Sequence, residues 1–325
     1  MRYAVGMDIG GTKLSVSLGR GDGRRLDIVD KIKFPTPKGD YKGALDLMAD
    51  AACGLLSKAR LAGADLAGVG VSGGGPIDSG RGMILSPPNL IGWDEVPVTA
   101  YFKQKIGAET RLENDANACA LAEWKYGAGR GTRNMVFLTF GTGMGAGLIL
   151  NGALYSGTND LAGEVGHCRS PVLDAGAYGP VGNGKAGSYE GFCSGGGIAD
   201  LARAMLTERL QRGEKPAFCP NEAGVRDITA QDVAAAANAG DPLALEIYER
   251  SGRYLGGLLS VLIDILNPEA VVIGSIYARS RHLLEKPMYE TMERESIPRS
   301  RAVCRILPAE LGEDLGDIAA LSIVL

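Results

Sequence analysis

"YAVGMDIGGTKLSVSLGR", residues 3–20, is apolar and strand-like on both sides of an interruption made of one Asp, two glycines, a Thr and a Lys. The pattern predicts a strand, a tight turn in which Gly10 and Gly11 permit positive φ, and "KLSVSL" as an antiparallel partner. A hairpin alone would explain a glycine pair. The exposed N–H groups of such a turn also make a concave site for phosphate oxygens, to which Thr12 adds a neutral donor and Lys13 a positive charge. Asp8 would repel that anion unless a cation stood between them, and Mg²⁺ is the usual one.

The same design returns about 130 residues later. "NMVFLTFGTGMGAGLILNG", residues 134–152, is again an apolar strand, a turn carrying Gly141, Thr142 and Gly143, and a second apolar strand, with Asn151-Gly152 as a further hairpin turn. Neither turn fits G-x-x-x-x-G-K-[ST]. A strand rather than a helix follows "GTGMGAG", which excludes a dinucleotide fingerprint. Two such units suggest an α/β protein of two related lobes facing one another. Between them, "LDIVDKIKF" reads as a third strand and "YKGALDLMADAACGLLSKARLAG" as a helix stopping at Gly63. "LAGVGVSGGGPID" reads as a buried strand entering a glycine-rich loop, so the first lobe is β-β-β-α-β. In "TRLENDANACALAEWKYG" a strand meets a helix at Asn114 or Asp115, either of which caps well. The remainder is mostly helical, interrupted by the strand "AVVIGS" and closed by "CRILPA" and "LGDIAALSIVL".

The chain of 325 residues is long enough for two lobes. Its 34 Lys and Arg against 38 Asp and Glu give a net charge of −4, which offers no basic surface for nucleic acid. No apolar run is long enough for a membrane span, and the N-terminus has no signal-peptide profile. The six cysteines are scattered without Cys-x-x-Cys spacing, as buried thiols of a reducing compartment would be. A cytoplasmic protein is expected, with neither nucleic acid nor membrane as a partner.

In order along the chain, "MDIGGTK", "GGGPID", "NLIGW", "ENDANACALAEW", "TFGTGMGAGLILNGALYSGTNDLAGEVGH" and "LGEDLGDIAAL" resemble the ROK family of sugar kinases and sugar-responsive repressors. The resemblance spans nearly the whole chain. It implies the actin-like ATPase (ribonuclease H-like) fold, with a smaller lobe at 1–115, a larger one at 116–311, and a C-terminal helix near 312–325 packing back on the first. It also implies ATP held by the two glycine turns, Mg²⁺, a small-molecule sugar as substrate, and a homodimer. Asp115 matches the catalytic base that accepts the proton of the attacking sugar hydroxyl, though a plain helix cap would also suit it. Gly75, Asn114, Asp115, Glu164, His167 and Glu190 match sugar contacts; for His167 a satisfied core histidine is the alternative. Asp8, Gly10, Gly11, Thr12, Lys13, Gly141, Thr142, Gly143 and Gly274 match nucleotide contacts. Gly195, Gly196 and Gly197 stand at a turn used near the nucleotide, where a flexible helix start is nearly as good a reading. Ser275 occupies a position where a second glycine is usual.

One segment departs from the resemblance. Members follow "GH" with Cys-x-Cys-Gly-x-x-Gly-Cys-x-Glu, whose cysteines join the histidine on a structural zinc. Aligned on the final glutamate, this chain has Val181, Asn183 and Ser188 at the three positions. Valine is no ligand. No structural zinc and no other protein-held metal site is expected, and Gly179, Gly182, Gly184 and Gly187 suggest a looped path held by packing and hydrogen bonds. The resemblance implies ATP-dependent phosphorylation of a hexose or N-acetylhexosamine, as in glucokinases. A sugar sensor without kinase activity is the second reading, and an ATPase acting on acetate or on protein partners is a third, disfavoured by "END" with "GEVGH".

Overall fold

The computed structural model describes residues 1–169, 181–182 and 184–325. The chain opens with strands β1 (Arg2–Ile9), β2 (Lys13–Gly21) and β3 (Leu26–Pro35), helix α1 (Tyr41–Ala59) and strand β4 (Leu66–Gly73). A small hairpin, β5 (Ile77–Asp78) and β6 (Met83–Ile84), precedes α2 (Val98–Ile106), β7 (Thr110–Asn114) and α3 (Asp115–Tyr126). Then come β8 (Met135–Leu138), β9 (Ala146–Leu150), β10 (Ala153–Leu154), β11 (Val181–Gly182), β12 (Lys185–Ala186), α4 (Tyr189–Phe192), α5 (Gly195–Gln211), α6 (Glu222–Val225) and α7 (Ala230–Asn238). The chain ends with α8 (Pro242–Leu266), β13 (Ala270–Ile273), α9 (Ile276–Glu295), α10 (Pro298–Val303), β14 (Arg305–Pro308) and α11 (Leu315–Ser322). Residues 1–133, 147–162 and 310–325 form one compact unit, and 134–146 with 163–309 form another. Among the described residues no helix is long and apolar enough to cross a membrane.

The sheet of the first unit has the order β3-β2-β1-β4-β7. β1, β2 and β3 are antiparallel neighbours, while β1, β4 and β7 run parallel. Alternation along each strand gives the two faces different jobs. Val5, Met7 and Ile9 of β1, Leu14, Val16 and Leu18 of β2, and Val69 and Val71 of β4 form one core with Leu45, Met48, Phe102 and Trp93. Most of the intervening positions, Ala4, Gly6, Ser15, Ser17, Gly19, Gly68, Gly70 and Ser72, are too small to cover a face themselves, and Asp8 lies among them. Helix α11 fills that space. A Cβ at Gly70 would lie 1.9 Å from the Ala320 carbonyl oxygen, and one at Gly19 would lie 2.5 Å from Leu321 Cδ1, so the helix can seat only on glycine. α11 meets α3 through Ala118, Ala122 and Ala319, again by close approach.

Asp317 is carried into this interface and is 3 % exposed. Burial pushes its carboxyl upward, but a hydrogen bond from Ser15 and the ammonium groups of Lys31 (3.1 Å) and Lys33 (3.3 Å) outweigh that and leave it lowered.

In the second unit β13 is flanked in parallel by β8 and β14. α8 begins on an Asp241 cap with Pro242 in its first turn, as the pairing of a cap with an early proline favours. The hairpin turn at Asn151-Gly152 is present, with φ of 56° and 80°, the paired positive values a two-residue turn of this type requires.

Two local expectations are corrected. α1 does not run to Gly63: Arg60 adopts the left-handed cap at φ 56° and its N–H returns to Leu56 and Ser57, because the buried stripe ends at Leu56. Gly10 and Gly11 do not use positive φ. They are small because the turn is crowded: a Cβ at Gly10 would lie 2.8 Å from the Lys13 carbonyl oxygen, and one at Gly11 2.7 Å from that of Asn89.

Gly70→Ala tests the seating of α11. A methyl group aimed at a helix carbonyl should lower unfolding stability by about 3 kcal/mol in urea titrations, whereas Gly54→Ala, whose added carbon meets nothing within 4 Å, should not.

Candidate active site

Three parallel strands of the first unit end level with one another. Asp8, Ser72 and Glu113 share one row of the register, and Ile9, Gly73 and Asn114 the next. β1 then enters the turn Gly10 to Lys13, β4 enters the loop of Gly74 and Gly75, and β7 enters α3. Ligands of open α/β sheets gather at such strand ends.

The first turn is closed by Gly10 N–H donating to the Lys13 carbonyl (3.1 Å). Thr36 holds its other side, taking the Gly10 carbonyl with its hydroxyl (2.6 Å) and the Thr12 carbonyl with its N–H (3.1 Å). Among the described residues the N–H groups of Gly11 and Thr12 have no hydrogen-bond partner. Asp8 stands immediately before them. Burial, then the charges of Asp115 and Asp317, raise its carboxyl to about 6, against a hydrogen bond from Ser72 and the charge of Lys13.

The cap of α3 falls on Asn114, which has extended φ and ψ and accepts from Ala116 N–H (2.9 Å) and, more weakly, Asn117 N–H (3.4 Å). Asp115 is the first helical residue, and its Oδ1 accepts from Ala116 N–H (2.8 Å). With its oxygen committed, Asn114 presents its Nδ2 to Gly75, where a Cβ would stand 3.2 Å from that nitrogen. Glu113 Oε1 accepts from Asn114 N–H (3.0 Å) and Asn117 Nδ2 (2.9 Å), so the corner is braced by a carboxylate that burial pushes upward. Gly75, Asn114 and Asp115 are thus brought together within this unit. Glu113 and Asn117 were not singled out in the sequence, although both lie within "ENDAN".

In the second unit the other turn is closed by Gly141 N–H donating to Gly143 O (3.2 Å) and by Gly145 N–H donating to Thr139 Oγ1 (2.7 Å). The amides of Gly195 (2.7 Å) and Gly196 (3.4 Å), at the start of α5, take the carbonyls of Gly141 and Thr142. These two glycines therefore shape the turn, while among the described residues the N–H groups of Thr142 and Gly143 have no hydrogen-bond partner. Glu190 Oε2 accepts from Met144 N–H (3.0 Å), and a Cβ at Gly143 would lie 2.9 Å from it. Glu190 also acts electrostatically on Glu164, whose carboxyl is raised by burial and by Glu190 and lowered by His167. Glu164, His167 and Glu190 are therefore neighbours. His167 is exposed, which removes the core-histidine alternative.

Beside this turn lies a cavity of about 750 Å³, within the range of small-molecule sites. Thr142, Gly196, Arg203, Asn238, Tyr248 and Arg279 are among its lining residues. Gly274 is not in the lining; it packs on Phe137 (3.2 Å from where a Cβ would be), and its neighbour Ser275 faces the cavity at φ 51°. That left-handed backbone is the reason glycine suits position 275. Of the positions replacing the expected cysteines, Val181 is 53 % exposed and Ser188 is buried, donating to the Gly182 carbonyl (3.2 Å) and accepting from Gly191 N–H (3.3 Å). Asn183 and Gly179 lie outside the described residues.

A family model described as the ROK family matches residues 4–325. A glucokinase from Halalkalibacterium halodurans is 37% identical over 322 residues, covering 98% of this chain and 93% of that protein. A glucokinase from Thermotoga maritima is 32% identical over 321 residues, 98% of this chain and 96% of its own. Among solved structures, a ROK family glucokinase from Streptomyces griseus in complex with glucose and AMPPNP aligns with a TM-score of 0.76 at 28% identity, covering 99% of this chain and 98% of that one. The actin-like ATPase fold expected from the motifs is the fold observed. A family match over almost every residue, joined to the strand-end turns and the capped Asn114-Asp115 corner, makes this chain a member of the ROK family.

Proposed function

We propose that this protein is an ATP-dependent sugar kinase that phosphorylates a hydroxyl of a hexose or N-acetylhexosamine, with Asp115 as the base. The observation carrying the reading is the Asn114-Asp115 corner, level with the phosphate turn of β1. Phosphoryl transfer needs positioning and charge neutralisation more than covalent help. Asp115 accepts the proton of the attacking hydroxyl as its oxygen bonds to the γ-phosphorus and ADP leaves. Asn114, Gly75, Glu164, His167 and Glu190 orient the sugar, since side chains that donate and accept together suit adjacent hydroxyls. The N–H groups of Gly11 and Thr12, with Lys13, and those of Thr142 and Gly143 take phosphate oxygens. The nucleoside goes to the cavity lined by Arg203, Asn238 and Tyr248.

Mg²⁺ fits this reading. Among the described residues no three His, Cys, Asp or Glu side chains converge on one point, but Mg²⁺ is ordinarily held by one or two carboxylates plus substrate phosphates. Asp8, a carboxylate disfavoured by burial and by two acidic neighbours, would hold it, and bound Mg²⁺ supplies neutralisation of phosphate charge. All six cysteines are free thiols, as suits a reducing, cytoplasmic compartment, although only Cys193 and Cys219 are buried and Cys53 and Cys168 are exposed, against the expectation of buried thiols.

ADP release measured over a panel of hexoses and N-acetylhexosamines should depend on sugar. Turnover undiminished without sugar would favour a stand-alone ATPase. Asp115→Asn should lower kcat about 10²- to 10⁴-fold while calorimetry shows sugar binding little changed; comparable turnover would remove Asp115 from the base role.

Asp8 gives a pH-dependent test in metal-free buffer. Its carboxyl is raised from the usual 3.8 to about 6, so the folded protein holds this proton more tightly than the unfolded chain. The cost is absent below 3.8, grows as pH rises, and is complete above about 6. Asp8→Asn should therefore be more stable than the parent by roughly 2–3 kcal/mol at pH 7.5, with the gain gone at pH 3.5, while its kinase activity is lost.

A further inference from the structure

We propose that Asp160 is a positioning residue for sugar binding, whose carboxylate grips Ser79 and thereby sets the loop of Gly75 against Asn114. The inference rests on the reading of Gly75 and Asn114 as sugar contacts.

Asp160 attracts notice through its backbone. It sits at φ 60°, in the left-handed region that residues other than glycine occupy at a cost, although Asp and Asn tolerate it best. What the side chain does there is specific. Ser79 N–H donates to Oδ2 (2.7 Å) and Ser79 Oγ donates to Oδ1 (2.9 Å), so one residue occupies both oxygens of the carboxylate. Hydrogen bonds to an ionised acceptor are about twice as strong as neutral ones. Both partners are half-buried and 81 residues apart in the chain.

Ser79 lies just after β5, in the turn that leads to β6. That hairpin pairs Ile77 with Ile84 and Asp78 with Met83, and Leu85 N–H closes on the Pro76 carbonyl (2.9 Å). A grip on Ser79 is thus passed to Pro76 and to Gly75, whose open face abuts Asn114 Nδ2. Ser156, in the same segment as Asp160, reaches the α3 corner as well. Ser156 Oγ accepts from Asn117 Nδ2 (3.4 Å), and Ala162 N–H closes the loop on the Ser156 carbonyl (3.1 Å). The charge of Asp160 also adds to the burial that raises Glu113, the carboxylate bracing Asn114. Residues 155–162 therefore act as a third segment that fixes the spacing of Gly75 and Asn114, neither of which Asp160 touches.

The test separates positioning from general stability. Asp160→Gly keeps the left-handed backbone and removes the carboxylate; Asp160→Asn keeps one accepting oxygen and guards against a folding defect in the glycine variant. Sugar KM should rise about ten-fold in Asp160→Gly and less in Asp160→Asn, with kcat and the KM for ATP unchanged. Adding Ser79→Ala to Asp160→Gly should cost nothing further, because the pair acts as one contact. Amide exchange over residues 75–82 should quicken in the same variants. An unmoved sugar KM despite faster exchange overturns the inference, as do equal shifts in sugar KM, ATP KM and kcat. If the parent protein shows no sugar-dependent ADP release, the kinase reading falls and takes this inference with it; if the parent turns over sugar and Asp160→Gly does so with the same KM, the inference alone falls.

Discussion

The parallel register of β1, β4 and β7 is the constraint on which the first unit depends. Because Asp8, Ser72 and Glu113 lie in one row, three segments leave the sheet at the same level: the turn Gly10 to Lys13, a glycine loop and the capped start of α3. A slip of one residue would exchange the faces of every side chain on a strand. Asp8 would then enter the apolar core of Val5 and Met7, and Met7 would meet α11 where only Gly6 and Gly70 now leave room. Large apolar residues on one face and glycine or serine on the other make that slip costly in both directions.

Much of this was legible because it is local. The alternation in residues 3–20 already carries the two faces of the hairpin, and the Asn151-Gly152 turn adopts the backbone its dipeptide favours. "ENDAN" was ambiguous between two caps, and only the extended φ and ψ of Asn114 assign the role to it and place Asp115 inside the helix. The positive φ expected of Gly10 and Gly11 is absent, and the need for glycine there is one composition does not reveal: their neighbours Lys13 and Asn89 crowd them. The cavity of the second unit was not legible, since Arg203, Asn238, Tyr248 and Arg279 come from four helices with no common motif. Asp160 was hidden likewise, because both its backbone angle and its distant partner Ser79 are products of the fold.

Two carboxylates on the same side of the sheet, Asp317 buried and Asp8 half-buried, meet opposite fates. Asp317 is compensated by Ser15, Lys31 and Lys33, which hold its carboxyl below its usual range. Asp8, a few residues away in space beneath Gly316, has a hydrogen bond from Ser72 but acidic neighbours that outweigh Lys13. Buried charge that stabilises a fold is ordinarily paired, and one left short of partners is costly to ionise. Lys31 and Lys33 pair with Asp317 on the helix that seats on this face, whereas Lys13 alone acts on Asp8.

The two glycine turns solve a further problem in the same way. A bend that offers N–H groups to an anion also carries carbonyl oxygens that repel one, so the carbonyls must be drawn off. In the first turn Thr36 takes the oxygens of Gly10 and Thr12. In the second, Gly195 and Gly196 take those of Gly141 and Thr142 with the first amides of α5. Among the described residues each turn keeps two adjacent N–H groups without a partner, Gly11 with Thr12 and Thr142 with Gly143, and has its facing carbonyls already satisfied. The recurrence of Gly and Thr is thus only half of the device; the other half is a neighbouring segment of unrelated sequence, a threonine in one unit and a helix start in the other, that leaves each bend able to act as a donor.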